Sequence, residues 1–237
     1  MRFERIASRY DLANAILSLG QHRRWKRLLI RVLNPRPGEI LLDAGTGTGD
    51  LAVLAARTRA SVVGVDVSPK MLEIAAQRVV RSPTQTLRDT GPAEGMAAPA
   101  GRAIRLIRGD VSHLPLATGS VTAVASAFVL RHLPDLPQVF GEFRRVLVSG
   151  GRVAVLEFSQ PVPWVRPVYD ALSVTMIPLV GGLLTGDRDA YEFLVRSIRA
   201  FPEPAQVAGI MARAGFTRVR WQAIDLGVAV LYAGSTE

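Results

Sequence analysis

The chain has no cysteine, three histidines and few aromatic residues, 6% of the total. Without cysteine there is no disulfide framework, thiolate nucleophile, iron–sulfur cluster or Cys-ligated zinc site. His22, His113 and His132 show no HxxH-type pairing, so a structural metal site is not expected. No run of apolar residues is long enough to span a bilayer. The stretch 171–186 lacks charge but is too short and is broken by Pro178, Gly181 and Gly182. Nothing at the start of the sequence reads as a signal peptide, so a cytoplasmic location is expected, at most touching a membrane from outside.

What is abundant is apolar surface and positive charge. Hydrophobic residues make up 49% of the 237 residues, and the formal net charge is +9. That is a globular composition with enough material for one core, and a single domain over 1–237 is expected. The charge is uneven. Residues 1–36 carry nine Arg or Lys against Glu4 and Asp11, and the rest is close to neutral. A basic, helical N-terminal extension on a neutral body suits an anionic partner, either nucleic acid or a phospholipid headgroup layer.

Two helices are expected in that extension. In the second, Trp25, Leu28, Leu29, Val32 and Leu33 form a helical stripe, and Asn34-Pro35-Arg36-Pro37-Gly38 ends it. From Glu39 onward short apolar runs alternate with helical patterns. Strands are expected at Ile40–Asp43, Ser61–Asp66, Ile104–Arg108, Val121–Ala127 and Arg152–Phe158. Helices are expected at Asp50–Arg59, Pro69–Val80, Asp135–Leu147 and Pro204–Ala214. Strands apolar on both faces indicate a mostly parallel sheet covered by helices, an α/β fold. Thr217–Ala223 and Gly227–Ala233 read as a closing hairpin. Residues 82–103, with three prolines, three glycines and no periodicity, read as a flexible loop.

The chemistry concentrates in Asp43-Ala44-Gly45-Thr46-Gly47-Thr48-Gly49, between a strand and a helix. Alternating glycines let backbone approach a ligand, and helix-start amides favour negative charge. Asp66 and Asp110 follow two neighbouring strands, and an acid after the second strand of such a fold suits a ribose diol. The dinucleotide fingerprint would need glycine where Asp50 stands, and there is no G-K-[ST] phosphate loop. The remaining pattern, D-x-G-x-G-x-G with two further acids, resembles motif I of S-adenosylmethionine-dependent methyltransferases.

Beyond motif I, the chain resembles the C-methyltransferases of ubiquinone and menaquinone biosynthesis (the UbiE/MenG type) over nearly its whole length. Phe3-Glu4-Arg5-Ile6-Ala7, Arg9-Tyr10-Asp11-Leu12, Asn14, Leu17-Ser18, Gly20, His22 and Trp25 resemble that family's N-terminal signature. Phe128, Leu130-Arg131, Arg145-Val146-Leu147, Gly150-Gly151-Arg152 and Leu156-Glu157-Phe158-Ser159 resemble its central block. Pro178, Gly181, Asp187, Ala190-Tyr191, Phe193-Leu194, Ser197-Ile198 and Phe201-Pro202 resemble its C-terminal block. The chain departs from the family at Val129-Leu130-Arg131-His132, where Gly-Leu-Arg-Asn is usual, and in its long 82–103 segment.

The resemblance implies a Rossmann-like class I methyltransferase, with a seven-stranded, mostly parallel sheet, a C-terminal antiparallel hairpin and N-terminal helices. It implies S-adenosyl-L-methionine as cofactor, contacted by Thr48, Asp66, Asp110 and Val111, and Asp43, Gly45 and Gly47 of the glycine-rich turn are expected to join them. It implies methylation of a ring carbon of a prenylated quinol. Arg131 is expected to stabilise a developing oxyanion, and His132, near its ordinary pKa, to take a proton. Tyr10, Asp187 and Tyr191 are expected around the substrate, with the apolar 161–184 stretch covering its tail. Expected partners are the quinol, an anionic membrane surface at the inner face, reached through the Arg23–Arg31 helix, and a second copy in a homodimer. No nucleic acid is expected, because no [DN]-P-P-[FY] follows the fourth strand. The alternatives are methylation of another lipophilic or small molecule, and a non-catalytic module that only binds S-adenosylmethionine.

Overall fold

The computed structural model describes residues 18, 20–82, 86–88, 103–167 and 188–237. Helix α1 spans His22–Leu33. It is followed by β1 (Ile40–Ala44), α2 (Asp50–Ala56), β2 (Ser61–Asp66) and α3 (Pro69–Val80). Then come β3 (Thr86–Arg88), β4 (Ala103–Arg108), β5 (Val121–Ala127), α4 (Leu136–Val146) and β6 (Leu147–Phe158). Helices α5 (Arg188–Ala200) and α6 (Pro204–Arg213) precede β7 (Thr217–Ile224) and β8 (Ala229–Ser235).

The strands form one sheet in the order β3-β4-β2-β1-β5-β6-β8-β7. All neighbours are parallel except β8, which is antiparallel to both β6 and β7. The seven expected strands are present, closing in the expected antiparallel hairpin. An eighth, three-residue strand, β3, adds an edge by pairing Thr86–Arg88 with Ala103–Arg105. This corrects the reading of 82–103 as loop throughout; the remainder of that segment lies outside the described residues.

Alternation along each strand splits the core into two layers. Leu41 of β1 faces Trp25, Leu29 and Leu33 of α1, with α2 and α3 beside them. Its neighbour Leu42 faces the other layer, where Phe140 and Phe143 of α4 and Met211 of α6 lie. The helix starts are fixed locally. Ser68 accepts from the Met71 N–H ahead of Pro69, and Asp135 accepts from the Gln138 N–H.

The last strand is shifted from the expected Gly227–Ala233 to Ala229–Ser235, because Asp225–Gly227 form a 3-10 turn. Two further ends differ from expectation for backbone reasons. Helix α2 stops at Ala56, and the following turn places Arg59 at φ 72°. Strand β6 starts at Leu147, because Val121 pairs with Leu147 before a bulge restores register at Ala123↔Arg152.

The chain runs outward from β1 through β2 and β4, then returns to β5 on the other side of β1. Such a reversal leaves a crevice at the carboxyl ends of the strands. The glycine turn after β1 opens there.

Candidate active site

Where β1 ends, Gly45 and Thr46 N–H groups both donate to Val65 O, at 2.8 and 2.9 Å, which folds the turn back across β2. Asp66 closes it. Its Oδ2 accepts from Gly47 N–H at 2.8 Å, and its Oδ1 from Ser68 N–H at 2.9 Å. Burial raises the Asp66 pKa, and the N–H groups of Ser68, Gly47 and Val67 oppose that rise. The carboxylate therefore joins the first and second crossover turns.

Above this turn lies a cavity of about 420 Å³. Gly45, Gly47, Asp66 and Ser68 form one side, and Gly109, Asp110 and Val111 another. Val67, Met71, Phe128, Val129, His132, Leu133 and Phe193 complete a largely apolar lining. A side chain at Gly45 would put its Cβ against Val129, so that glycine is required for packing; at Gly47 the space is open. Asp110 is exposed at the rim, where Oδ1 accepts from Ser112 N–H at 2.8 Å. The size and mixed lining suit a small polar–apolar ligand.

The far wall follows β5. Phe128 has φ 64°, which is unusual for a bulky residue. It is held there by its N–H bond to Leu156 O and by stacking on Phe158 at 4.5 Å, with Trp25 alongside. A short 3-10 turn, Leu130–His132, follows.

A model of the ubiE/COQ5 methyltransferase family matches residues 2–236. The chain is 40% identical over 235 residues to the ubiquinone/menaquinone biosynthesis C-methyltransferase UbiE of Syntrophotalea carbinolica, covering 98% of this chain and 91% of that one. To the protein of that name from Paracoccus denitrificans it is 37% identical over 233 residues, covering 98% and 88%. The chain belongs to the ubiE/COQ5 methyltransferase family. Its fold is also that of a putative S-adenosyl-L-methionine-dependent methyltransferase from Methanococcus maripaludis, with a TM-score of 0.67 at 17% identity over 98% of this chain and 93% of that one.

The cavity of this family member gathers six of the expected site residues: Gly45, Gly47, Asp66, Asp110, Val111 and His132. Three others stand elsewhere. Asp43 is buried beneath the turn, accepts from Thr46 Oγ1 at 2.7 Å, and has its pKa pushed up by burial to about 7. Thr48 accepts from Arg78 Nη1 at 3.0 Å, on the side of the turn away from the cavity lining. Arg131 is also not among the described lining residues. Its side chain is buried, with Nη1 donating to Glu157 Oε1 at 2.6 Å and to Phe128 O at 2.8 Å. The expectation of an arginine facing the reacting ring is corrected: the guanidinium points inward and clamps the carbonyl of left-handed Phe128.

The expectation for His132 also changes. Burial, and then the nearby Arg131 charge, depress its pKa to about 2, far from its ordinary value. The ring is a neutral imidazole, stacked near-parallel to Phe193 at 5.9 Å. Tyr10 and Asp187 lie outside the described residues, as does the side chain of Tyr191 in α5. Of the 161–184 stretch, residues 161–167 are described, and none lines the cavity.

The sequence reading did not assign Val67, Ser68, Met71, Gly109, Phe128, Val129, Leu133 or Phe193 to the site. Val67, Ser68, Val129 and Leu133 stand close to Asp66 or Arg131 in the chain, so the signal was position just past a strand end. Phe193 comes from α5, which packs on the 130–132 turn, and only the fold brings it there.

Proposed function

We infer that this cavity serves S-adenosylmethionine-dependent C-methylation of a ring carbon of a prenylated quinol in ubiquinone and menaquinone biosynthesis. The observation that carries the reading is full-length membership of the ubiE/COQ5 methyltransferase family combined with a cradle of the right chemistry. Asp66 retains acceptor capacity beyond its two N–H bonds and suits the ribose hydroxyls. Asp110 and the Val111 N–H suit the adenine edge. The space over Gly47 suits the methionine portion.

Bound S-adenosylmethionine supplies an electrophilic methyl group. The protein's task is then alignment and exclusion of water. Val129, Leu133 and Phe193 form a dry wall for an aromatic ring. His132, held neutral, accepts a hydrogen bond from a quinol hydroxyl, which raises electron density on the ring. Arg131 is a positioning residue: with Glu157 it holds the 128–132 backbone on which that wall depends. Complementation of a methylase-deficient host tests the reading. A quinone heavier by one CH₂ group is expected; cofactor binding without methyl transfer to any quinol overturns it.

The quinol is lipid-soluble, so the enzyme works peripherally at the cytoplasmic face of an anionic membrane. Helix α1 is docked through Trp25, Leu29, Ile30 and Leu33, and Lys26 is buried against Asp50 at 2.7 Å. Lys26 is therefore unavailable to lipid, while Arg23, Arg24, Arg27 and Arg31 are exposed. Co-sedimentation with anionic but not neutral vesicles is the expected result.

A further inference from the structure

Two exposed large apolar side chains lie on adjacent turns with nothing in the chemistry above to explain them. Trp164 is 74% exposed and Leu226 57%. Leu226 also adopts φ 59°, a conformation that an aliphatic residue enters at a cost and that here brings no burial. The turns are tied together: Val162 N–H donates to Leu226 O at 2.9 Å, and Gly227 packs against Gln160 and Pro161.

Their position in the sheet matters. Phe158, the last residue of β6, pairs with Ala229, the first of β8. Both turns therefore leave the sheet at the edge where the parallel strands end, the edge that carries the cavity. The start of α1 reaches the same edge, because Trp25 Nε1 donates to Asp225 Oδ2 at 2.6 Å. That places Arg24, 3.8 Å from Asp225, beside Leu226, with exposed Arg23 next to it. Exposed Arg166 is on the Trp164 turn.

We propose that Trp164 and Leu226, ringed by Arg23, Arg24 and Arg166, form the face that docks on an anionic phospholipid bilayer and turns the cavity edge toward it. An indole and an aliphatic side chain suit the headgroup–acyl boundary, and guanidinium groups pair with lipid phosphates. The charge partly facing this patch from the protein is Asp225, which is already engaged with Trp25 and Arg24. The occupant is lipid rather than protein because apolar tips within a basic ring match an anionic interface. The proposal rests on the reading of a membrane-dissolved quinol substrate, since it supplies the reason for this orientation.

The test uses the full chain, with vesicles of phosphatidylcholine alone or mixed with phosphatidylglycerol. The double variant Trp164→Ala/Leu226→Asn should lose affinity for mixed vesicles by on the order of tenfold. Asparagine tolerates the left-handed backbone. Arg24→Gln/Arg166→Gln should lose several-fold per charge, about fivefold each at low salt. Both variants should methylate a short-tailed, water-soluble quinol as the parent does, while slowing on a long-tailed quinol in vesicles. In a Trp221→Phe background, which removes the half-exposed tryptophan of β7, bromine-labelled acyl chains should quench emission far more than after Trp164→Phe is added, since the remaining Trp25 is buried. Equal vesicle affinity of parent and double variant, or equal quenching in Trp164→Phe, overturns the docking face. Vesicle binding that depends on these residues in a protein unable to methylate any quinol leaves the face standing and sinks the substrate reading.

Discussion

At the scale of single residues, two carboxylates one strand apart have opposite duties. Asp66 is on the cavity, and Asp43 is beneath it. Replacing Asp66 with alanine removes the proposed ribose acceptor and leaves the Gly47 and Ser68 N–H groups without their partner. Calorimetric titration should show S-adenosylmethionine affinity falling by about ten- to a hundredfold, at roughly 1.5–3 kcal/mol for a charge-assisted bond. Asp43 gives a different readout. Its folded pKa, about 7, lies above the ordinary 3.8, so the folded state holds the proton more tightly. Stability from this group is present below the unfolded pKa and is lost as pH rises toward 7. Asp43→Asn should therefore gain stability relative to the parent as pH rises from about 4 to 7 and gain no more above it. The total is a few kcal/mol, at roughly 1.4 kcal/mol for each pH unit separating the folded and unfolded values. Thermal melts across that range measure it. That Asp66 and Asp110 stand on one cavity was legible, because both come at the carboxyl ends of neighbouring parallel strands. The inward turn of Arg131 was not, since a motif names a residue and not the direction of its side chain.

Among the elements, the turn after β5 is strained at one residue and held by its neighbours. Phe128 is left-handed, and its carbonyl is held by a guanidinium whose counter-charge is the buried Glu157. Glu157 also accepts from the N–H groups of Arg131 and Phe158. Arg131→Ala leaves that carboxylate buried with its two backbone N–H donors but no counter-charge, which costs about 3–5 kcal/mol. Denaturant unfolding should record the loss. Turnover should fall at temperatures where the variant is still folded, with cofactor affinity near normal, because Asp66 and the glycine turn remain intact. Gly45→Ala acts on the facing element. The added methyl group meets Val129, and φ 75° disfavours any side chain, so both melting temperature and S-adenosylmethionine affinity should drop. Adding Val129→Gly should restore part of the affinity but not the backbone cost. Element positions such as Ser61–Asp66, Pro69–Val80 and Val121–Ala127 were readable because apolar runs and a capped proline mark them. Strand β3 was not, because three residues cannot show a period and its pairing with β4 exists only in the sheet.

For the whole molecule, one sheet collects strands from Ile40 to Ser235. We propose that the chain is a single domain, and scanning calorimetry should show one cooperative transition. Two transitions would mean that helix α1 melts apart from the sheet. The alternating order of strands and helices made the fold class readable, whereas the joint between α1 and the 225–227 turn was beyond reach, since Trp25 and Asp225 meet across 200 positions of chain. The Asp66 carboxylate has a consequence at this scale. Because it bonds to backbone N–H groups from two separate crossovers, the seat proposed for the nucleoside is assembled before any nucleoside enters. Binding then requires little reordering of main chain, and spent cofactor can leave without the seat collapsing behind it. Crystals grown with and without the nucleoside should superpose at Gly47 and Ser68, and whatever motion accompanies each catalytic cycle falls to the walls rather than the floor.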